Sequence, residues 1–179
     1  SNASFDVTGI GTLYQGFTGY SKVNSGTWTL TGTTNEVTPW TVSGGTLSIG
    51  NDASLGANSG ALTLDGGTLQ TTADVIGLRA VTLGAAGGTV TPSAGTTLDW
   101  RGVVSGAGSL TMSGAGTLAL SGNNSYSGGT TLNSGTLAIR SNTALGTGAL
   151  DVNGGVLTTS GASVANTVNV NGDFALTGS

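Results

Sequence analysis

Any chemistry this chain performs has to come from eight carboxylates and four cations, because it contains neither histidine nor cysteine. The acids are Asp6, Glu36, Asp52, Asp65, Asp74, Asp99, Asp151 and Asp173, and the bases are Lys22, Arg79, Arg101 and Arg140. Acid–base catalysis, including sugar cleavage by paired carboxylates, needs two such groups held within a few ångströms of a substrate. By spacing, Asp74 pairs with Arg79 and Asp99 with Arg101, and both read as surface ion pairs of small energetic weight. Asp65 and Asp151 read as equivalent, solvated strand residues of an internal repeat. The expectation is that no residue is catalytic.

Metal and cofactor chemistry fares no better. Without cysteine there are no thiolate metal sites, disulfides or thiol nucleophiles. Leu64-Asp65-Gly66-Gly67 is only a fragment of the Gly-Gly-x-Gly-x-Asp calcium repeat, and no glycine-rich stretch ends in the Gly-Lys-Ser/Thr of a phosphate loop. We expect no metal and no cofactor. A net charge of −4 with no Lys/Arg cluster argues against nucleic acid as a partner. No apolar run reaches the 18 residues of a membrane-spanning helix. The remaining candidates for contact are aromatic, since exposed rings give large contact area at low entropy cost. Trp28 and Trp100 lie in apolar alternation and should point inward, which leaves Trp40, Tyr14 and Tyr20 as candidate surface contacts with a sugar or protein.

The elements that position these residues are strands. With 34 glycines, 2 prolines, 7% charged and 36% hydrophobic residues, the chain is neither disordered nor of ordinary globular composition. Gly-Thr-apolar recurs at Gly11, Gly26, Gly45, Gly67, Gly88, Gly116 and Gly135, with the variant Gly155-Val156-Leu157, at intervals of 15, 19, 22, 21, 28, 19 and 20 residues. Apolar-x-apolar pairs such as Leu47/Ile49, Leu62/Leu64, Leu98/Trp100, Leu118/Leu120 and Phe174/Leu176 give short half-buried strands by their period of two. Strands at coil-length spacing, with glycine at the corners, predict a β-solenoid. A propeller blade would need about 40 residues, and a sandwich would not repeat.

A longer repeat is superimposed. Gly26 to Gly32 matches Gly116 to Gly122, and Val42 to Ile49 matches Leu132 to Ile139, both at an offset of 90 residues. Ser54-Leu55-Gly56 then matches Ala144-Leu145-Gly146, and Leu62 to Gly67 matches Leu150 to Gly155 after a two-residue deletion. Ser1, Asn2 and Ala3 read as the scar of a cleaved affinity tag, leaving 4–179 as a segment of something longer, with related units at about 26–115 and 116–179.

The stretch Gly114 to Leu137, with Gly122-Asn123-Asn124-Ser125-Tyr126-Ser127-Gly128-Gly129-Thr130 at its centre and Ala144-Leu145-Gly146 behind it, resembles the passenger-associated strand repeat of bacterial autotransporters. Its motif positions here are Gly116, Leu118, Leu120, Gly122, Asn123, Asn124, Tyr126, Gly128, Gly129, Gly135 and Leu137. The first copy departs from the motif, reading Gly32-Thr33-Thr34-Asn35-Glu36-Val37-Thr38-Pro39-Trp40, so its corner must be built differently. The resemblance implies an all-β chain folded as a right-handed parallel β-helix, a single-stranded solenoid. It implies export by type V secretion, display at the cell surface or release from it, and anchoring by a C-terminal outer-membrane β-barrel outside this segment. The implied function is a structural or adhesive stalk that aids passenger secretion and folding, with roles in adhesion, aggregation, biofilm formation or virulence. Implied partners are a host-cell or bacterial surface protein or glycan, or further copies of itself. The alternative is part of a carbohydrate-active β-helix enzyme, which would show Asp and Arg clustered in a groove.

Overall fold

A computed structural model describes residues 1–178. It is a parallel β-helix of about eight turns, with 3₁₀ turns but no α-helix among the described residues. The coils carry, in chain order, β1 (Ala3–Asp6) and β2 (Tyr20–Lys22); β3 (Thr27–Thr31) and β4 (Trp40–Val42); β5 (Thr46–Ile49) and β6 (Leu62–Leu64). Two three-stranded coils follow: β7 (Thr68–Thr71), β8 (Val75–Gly77) and β9 (Val81–Leu83), then β10 (Gly88–Pro92), β11 (Thr97–Trp100) and β12 (Val104–Gly106). The rest return to two strands each: β13 (Leu110–Met112) and β14 (Thr117–Leu120); β15 (Thr130–Leu132) and β16 (Thr136–Ile139); β17 (Leu150–Val152) and β18 (Val156–Thr159); β19 (Val168–Val170) and β20 (Ala175–Gly178).

These strands stack into three parallel sheets. The first face runs β1-β3-β5-β7-β10-β13-β15-β17-β19, the second β8-β11-β14-β16-β18-β20, and the third β2-β4-β6-β9-β12. From Gly26 onward each Gly-Thr-apolar tripeptide opens a strand, because glycine makes the corner and the β-branched threonine suits the first strand position. Gly11-Thr12-Leu13 is the exception. There the amides of Thr12, Leu13 and Tyr14 all donate to the Gly9 carbonyl in a tight turn, and Leu13 is left exposed.

The pleat sends alternate residues to opposite sides. On the first face Leu47, Leu69, Val90, Met112, Leu132 and Val152 form one buried row in register. Each buried aliphatic contributes about 1.5–3 kcal/mol relative to exposure. Outside them Thr27, Thr46, Thr68, Thr89, Thr111 and Thr131 form an unbroken threonine ladder, one per coil at about 4.8 Å spacing. Trp100 fills the core as predicted, whereas Trp28 is only partly buried against it.

The sequence matches at offset 90 do not share faces. β3 and β5 on the first face match β14 and β16 on the second, while β4 and β6 on the third match β15 and β17 on the first. The first copy therefore crosses the second face with loops at 32–39 and 50–61, and the later copy crosses the third face with 121–129 and 140–149. The three-stranded coils between them turn the pattern by one face.

One corner shows how tightly the stack constrains glycine. Gly135 sits at φ 74°, and a Cβ there would lie 2.2 Å from the Gly114 carbonyl oxygen of the coil above. Gly95 has nearly the same φ, 75°, but open space around it. Gly95→Ala is therefore expected to cost about 1–2 kcal/mol, the left-handed penalty alone. Gly135→Ala adds a backbone collision and is expected to exceed that by roughly 1–3 kcal/mol. Thermal melts of the two variants compare the terms directly.

Candidate functional site

Asn124, Tyr126 and Thr130 are the buried centre of the repeat motif. Asn124 leaves strand β14 four residues behind and enters the loop that covers the third face, where its side chain points along the stack. Its Oδ1 accepts from the Val104 amide at 2.8 Å in the preceding coil, and its Nδ2 donates to the Ala144 carbonyl at 2.6 Å in the following one. One side chain thus ties three coils. Tyr126 is fully buried with its hydroxyl 2.6 Å from Thr130 Oγ1. Burial pushes its phenol up to about 12 against the opposing pull of Thr130, so the hydroxyl stays neutral at any physiological pH. Asn123 lies outside and accepts from the hydroxyls of Ser141 and Thr143 one coil on.

The divergent corner of the first copy is resolved by moving its aromatic ring. Glu36 stands where Tyr126 stands in the later copy, and Trp40 stands where Thr130 stands. Trp40 is 2% exposed, so the reading of Trp40 as a surface contact is corrected: it starts β4 and fills the interior itself. Tyr20 stacks on it with ring centroids 4.9 Å apart and is half-buried, while Tyr14 remains 41% exposed. Burial, with the Glu36 charge beside it, pushes the Tyr20 phenol up. Together with Phe5, Phe17 and Trp28 these rings line a concavity of about 410 Å³ at the first coil.

The ionisable groups are distributed otherwise than spacing implied. Arg79 does not pair with Asp74. It is 1% exposed and makes a bidentate pair with Asp52, Nε to Oδ1 and Nη2 to Oδ2 both at 3.0 Å. Its remaining donors reach the carbonyls of Asp52 and Gly56 at 2.9 Å and Gly60 at 2.6 Å, with Leu55 at 3.3 Å. It holds together the 3₁₀ turn Asp52–Leu55 and the loop after it, while Asp74 caps the Thr97 amide at 2.7 Å. Asn166 does the same work in the later copy, donating to Gly146 and Gly148, which match Gly56 and Gly60. Lys22 is also buried, bonded to the carbonyls of Asn24 and Gly44 and set 5.8 Å over the Trp28 ring. Asp65 and Asp151 are not equivalent: Asp65 follows β6 and caps the Ala86 amide, whereas Asp151 is the middle residue of β17 and accepts from Asn169.

Asp99 and Arg101 do pair, at 2.8 Å, and Arg140 joins them from two coils below at 3.1 Å while Ser121 donates to the other oxygen at 2.7 Å. Burial pushes the Asp99 carboxyl up, but Ser121 and the two guanidiniums outweigh it and hold the group below its ordinary value of 3.8. The ionised form is therefore favoured by folding, so its stabilisation is complete above that ordinary value and is lost as pH falls through the lower folded one. Denaturation midpoints of the native chain and Asp99→Asn are expected to differ at pH 7 and to converge below about pH 4. Six of the eight carboxylates (Asp6, Asp52, Asp65, Asp74, Asp99 and Asp151) serve as local hydrogen-bond acceptors. Among the described residues no three acidic side chains gather as a metal site would require.

The buried Asn-Tyr corner falls within one of two stretches, residues 21–49 and 110–139, that match the family model of the passenger-associated-transport-repeat. The chain thus carries two copies of a passenger-associated repeat and is similar to an autotransporter. A relative described as adhesin BmaC autotransporter, from Brucella suis biovar 1 (strain 1330), is 42% identical over 119 residues. That alignment covers 66% of this chain but 4% of the relative, so the segment spans a small part of the protein it resembles. No solved structure matches.

Proposed function

We propose that this segment is a β-helical stalk and adhesive surface within an autotransporter passenger displayed at, or released from, the bacterial cell surface, anchored in cis by an outer-membrane β-barrel. Neither an active groove nor a cofactor figures in this reading; the working part is the stack itself. The observation that carries it is the two transport repeats built into a continuous parallel β-helix, in which one buried side chain, Asn124, links three coils. The match to an autotransporter named an adhesin supports the adhesive half. The threonine ladder offers many weak polar contacts to a surface protein, a glycan or another copy. Of the aromatic candidates, Tyr14 is the more exposed, its ring packed on Phe5, while Tyr20 stacks on Trp40.

A solenoid grows by adding coils to a folded end, so folding outside the membrane draws the remaining chain outward. Leu110 pairs with Thr130, so deleting 110–129 removes one whole coil in register; Thr68 pairs with Thr89, so deleting 68–88 removes a coil outside the repeat. In the full-length protein the first deletion is expected to lower surface display, scored by antibody labelling of intact cells, far more than the second. Equal display would overturn the secretion role, and unchanged cell adherence per displayed molecule on removing 21–139 would overturn the adhesive one.

A further inference from the structure

Two of the four cationic side chains, Lys22 and Arg79, are buried in structural roles. The other two converge. Arg101 and Arg140 leave the second face at the ends of β11 and β16, and their guanidiniums meet at one oxygen of Asp99 while remaining 51% and 43% exposed. Arg79 spends all its donors on the protein, but Arg101 uses only Nε and Arg140 only one Nη. Unspent, solvent-facing donors on two adjacent forks form a recognition surface for a carboxylate.

The surroundings narrow the ligand. β8 pairs with β11 so that Ile76 lies beside Asp99, and the Arg101 amide donates to the Gly77 carbonyl, which carries the register on to set Leu78 beside Arg101. The outward row Leu78, Arg101, Ser121, Arg140 therefore crosses four successive coils, about 14 Å at three rung spacings. Ile76 and Leu78 are 52% and 54% exposed, and Val103, at the same corner, is 48% exposed. Among the described residues between 38 and 167 these are the exposed large hydrophobic side chains. An exposed aliphatic patch bordered by arginines marks a site for protein contact.

We propose that Ile76, Leu78, Arg101 and Arg140 form a docking strip for an extended polypeptide segment carrying an acidic side chain next to an aliphatic one. The acid bridges the free donors of Arg101 and Arg140, and the aliphatic side chain covers Ile76, Leu78 and Val103. Charge selects the partner: the strip holds all the solvent-facing cationic side chains of a chain whose net charge is −4. A sugar acid would satisfy the arginines but leave the aliphatic patch wet. The proposal does not depend on the adhesive reading, since it concerns a peptide bound by the purified segment.

The test is fluorescence anisotropy with a labelled short peptide of interspersed Glu, Leu and Ser, and with its Glu→Gln counterpart. Binding of the acidic peptide alone is expected, weakening with salt. Leu78→Ser, which removes the aliphatic contact without adding charge, and the triple change Asp99→Asn, Arg101→Gln, Arg140→Gln, which leaves no orphan charge, are each expected to reduce affinity about tenfold. Circular dichroism verifies that both fold. Equal binding of the two peptides, insensitivity to either variant, or equally tight binding of polysialic acid would overturn the proposal. So would self-association in sedimentation that Leu78→Ser abolishes, which would assign the strip to a second copy.

Discussion

Arg79→Met is expected to destabilise the chain by about 3–5 kcal/mol, the cost of removing one partner from a buried ion pair. The methionine fills much of the volume but leaves Asp52 without its bidentate partner and the carbonyls of Gly56 and Gly60 without donors. For a chain of this size the loss corresponds to a fall in melting temperature on the order of 10 °C. Asp52→Asn keeps an oxygen facing the guanidinium and is expected to cost less. The two changes together should cost markedly less than their sum, because the second removes the charge that the first strands. Hydrogen exchange gives a local readout: amides of 50–61 should lose protection in Arg79→Met while those of 140–149, held by Asn166, keep theirs. A melting temperature within a degree or so of the native chain would mean that the loop is held by its own turns instead.

The expected pairing of Arg79 with Asp74 shows where sequence reasoning stopped. Proximity along the chain means contact on a helix surface at three or four residues, but in a solenoid the neighbour of a residue is one coil away. Arg79 reaches Asp52 at a separation of 27, Asn124 reaches Val104 and Ala144 at 20, and Asn153 reaches Asn133 at 20. The intervals between Gly-Thr-apolar tripeptides already state that separation, so side-chain pairs were legible at one period's distance. The strands were legible because alternation and glycine corners are local. Which face each strand occupies was not. That depends on the number of strands per coil, and a strand missing from one face is replaced by a loop whose residues alternate no differently from those of other corners.

Trp40 was missed for a related reason. Its surroundings, Thr38-Pro39-Trp40-Thr41, have no apolar-x-apolar partner before them, and an isolated aromatic beside proline reads as a loop tip. Pairing settles the matter: Trp40 aligns with Tyr20 above and Leu62 below, inside a column that is apolar throughout. The Asp99–Arg101 pair was legible as an ion pair, but Arg140 was not, because it arrives from two coils away, 41 residues along the chain.

Asn124→Leu is expected to cost about 2–4 kcal/mol, because it strands two buried main-chain groups at once, the Val104 amide and the Ala144 carbonyl. Asn124→Asp separates the two bonds. A carboxylate still accepts from Val104 but turns an oxygen toward the Ala144 carbonyl, and burial raises its pKa in the folded chain. Such a group favours the neutral form on folding, so the variant is expected to be least stable above neutral pH and to recover part of its loss as pH falls through the raised value. The first copy tells whether the staple belongs to the motif or to the corner in general. There Thr34 keeps the main-chain bond, donating to Ala53 as Asn124 donates to Thr143, but its side chain spans no coils. The hydroxyls of Ser54 and Thr38 reach Gly32 and Leu55 instead, each linking only two coils. Ser54→Ala should therefore cost only about 1 kcal/mol, the net worth of one hydrogen bond. If Asn124→Leu and Ser54→Ala proved equally mild in paired melts, the three-coil link could not be what makes the asparagine corner the rigid element of the repeat.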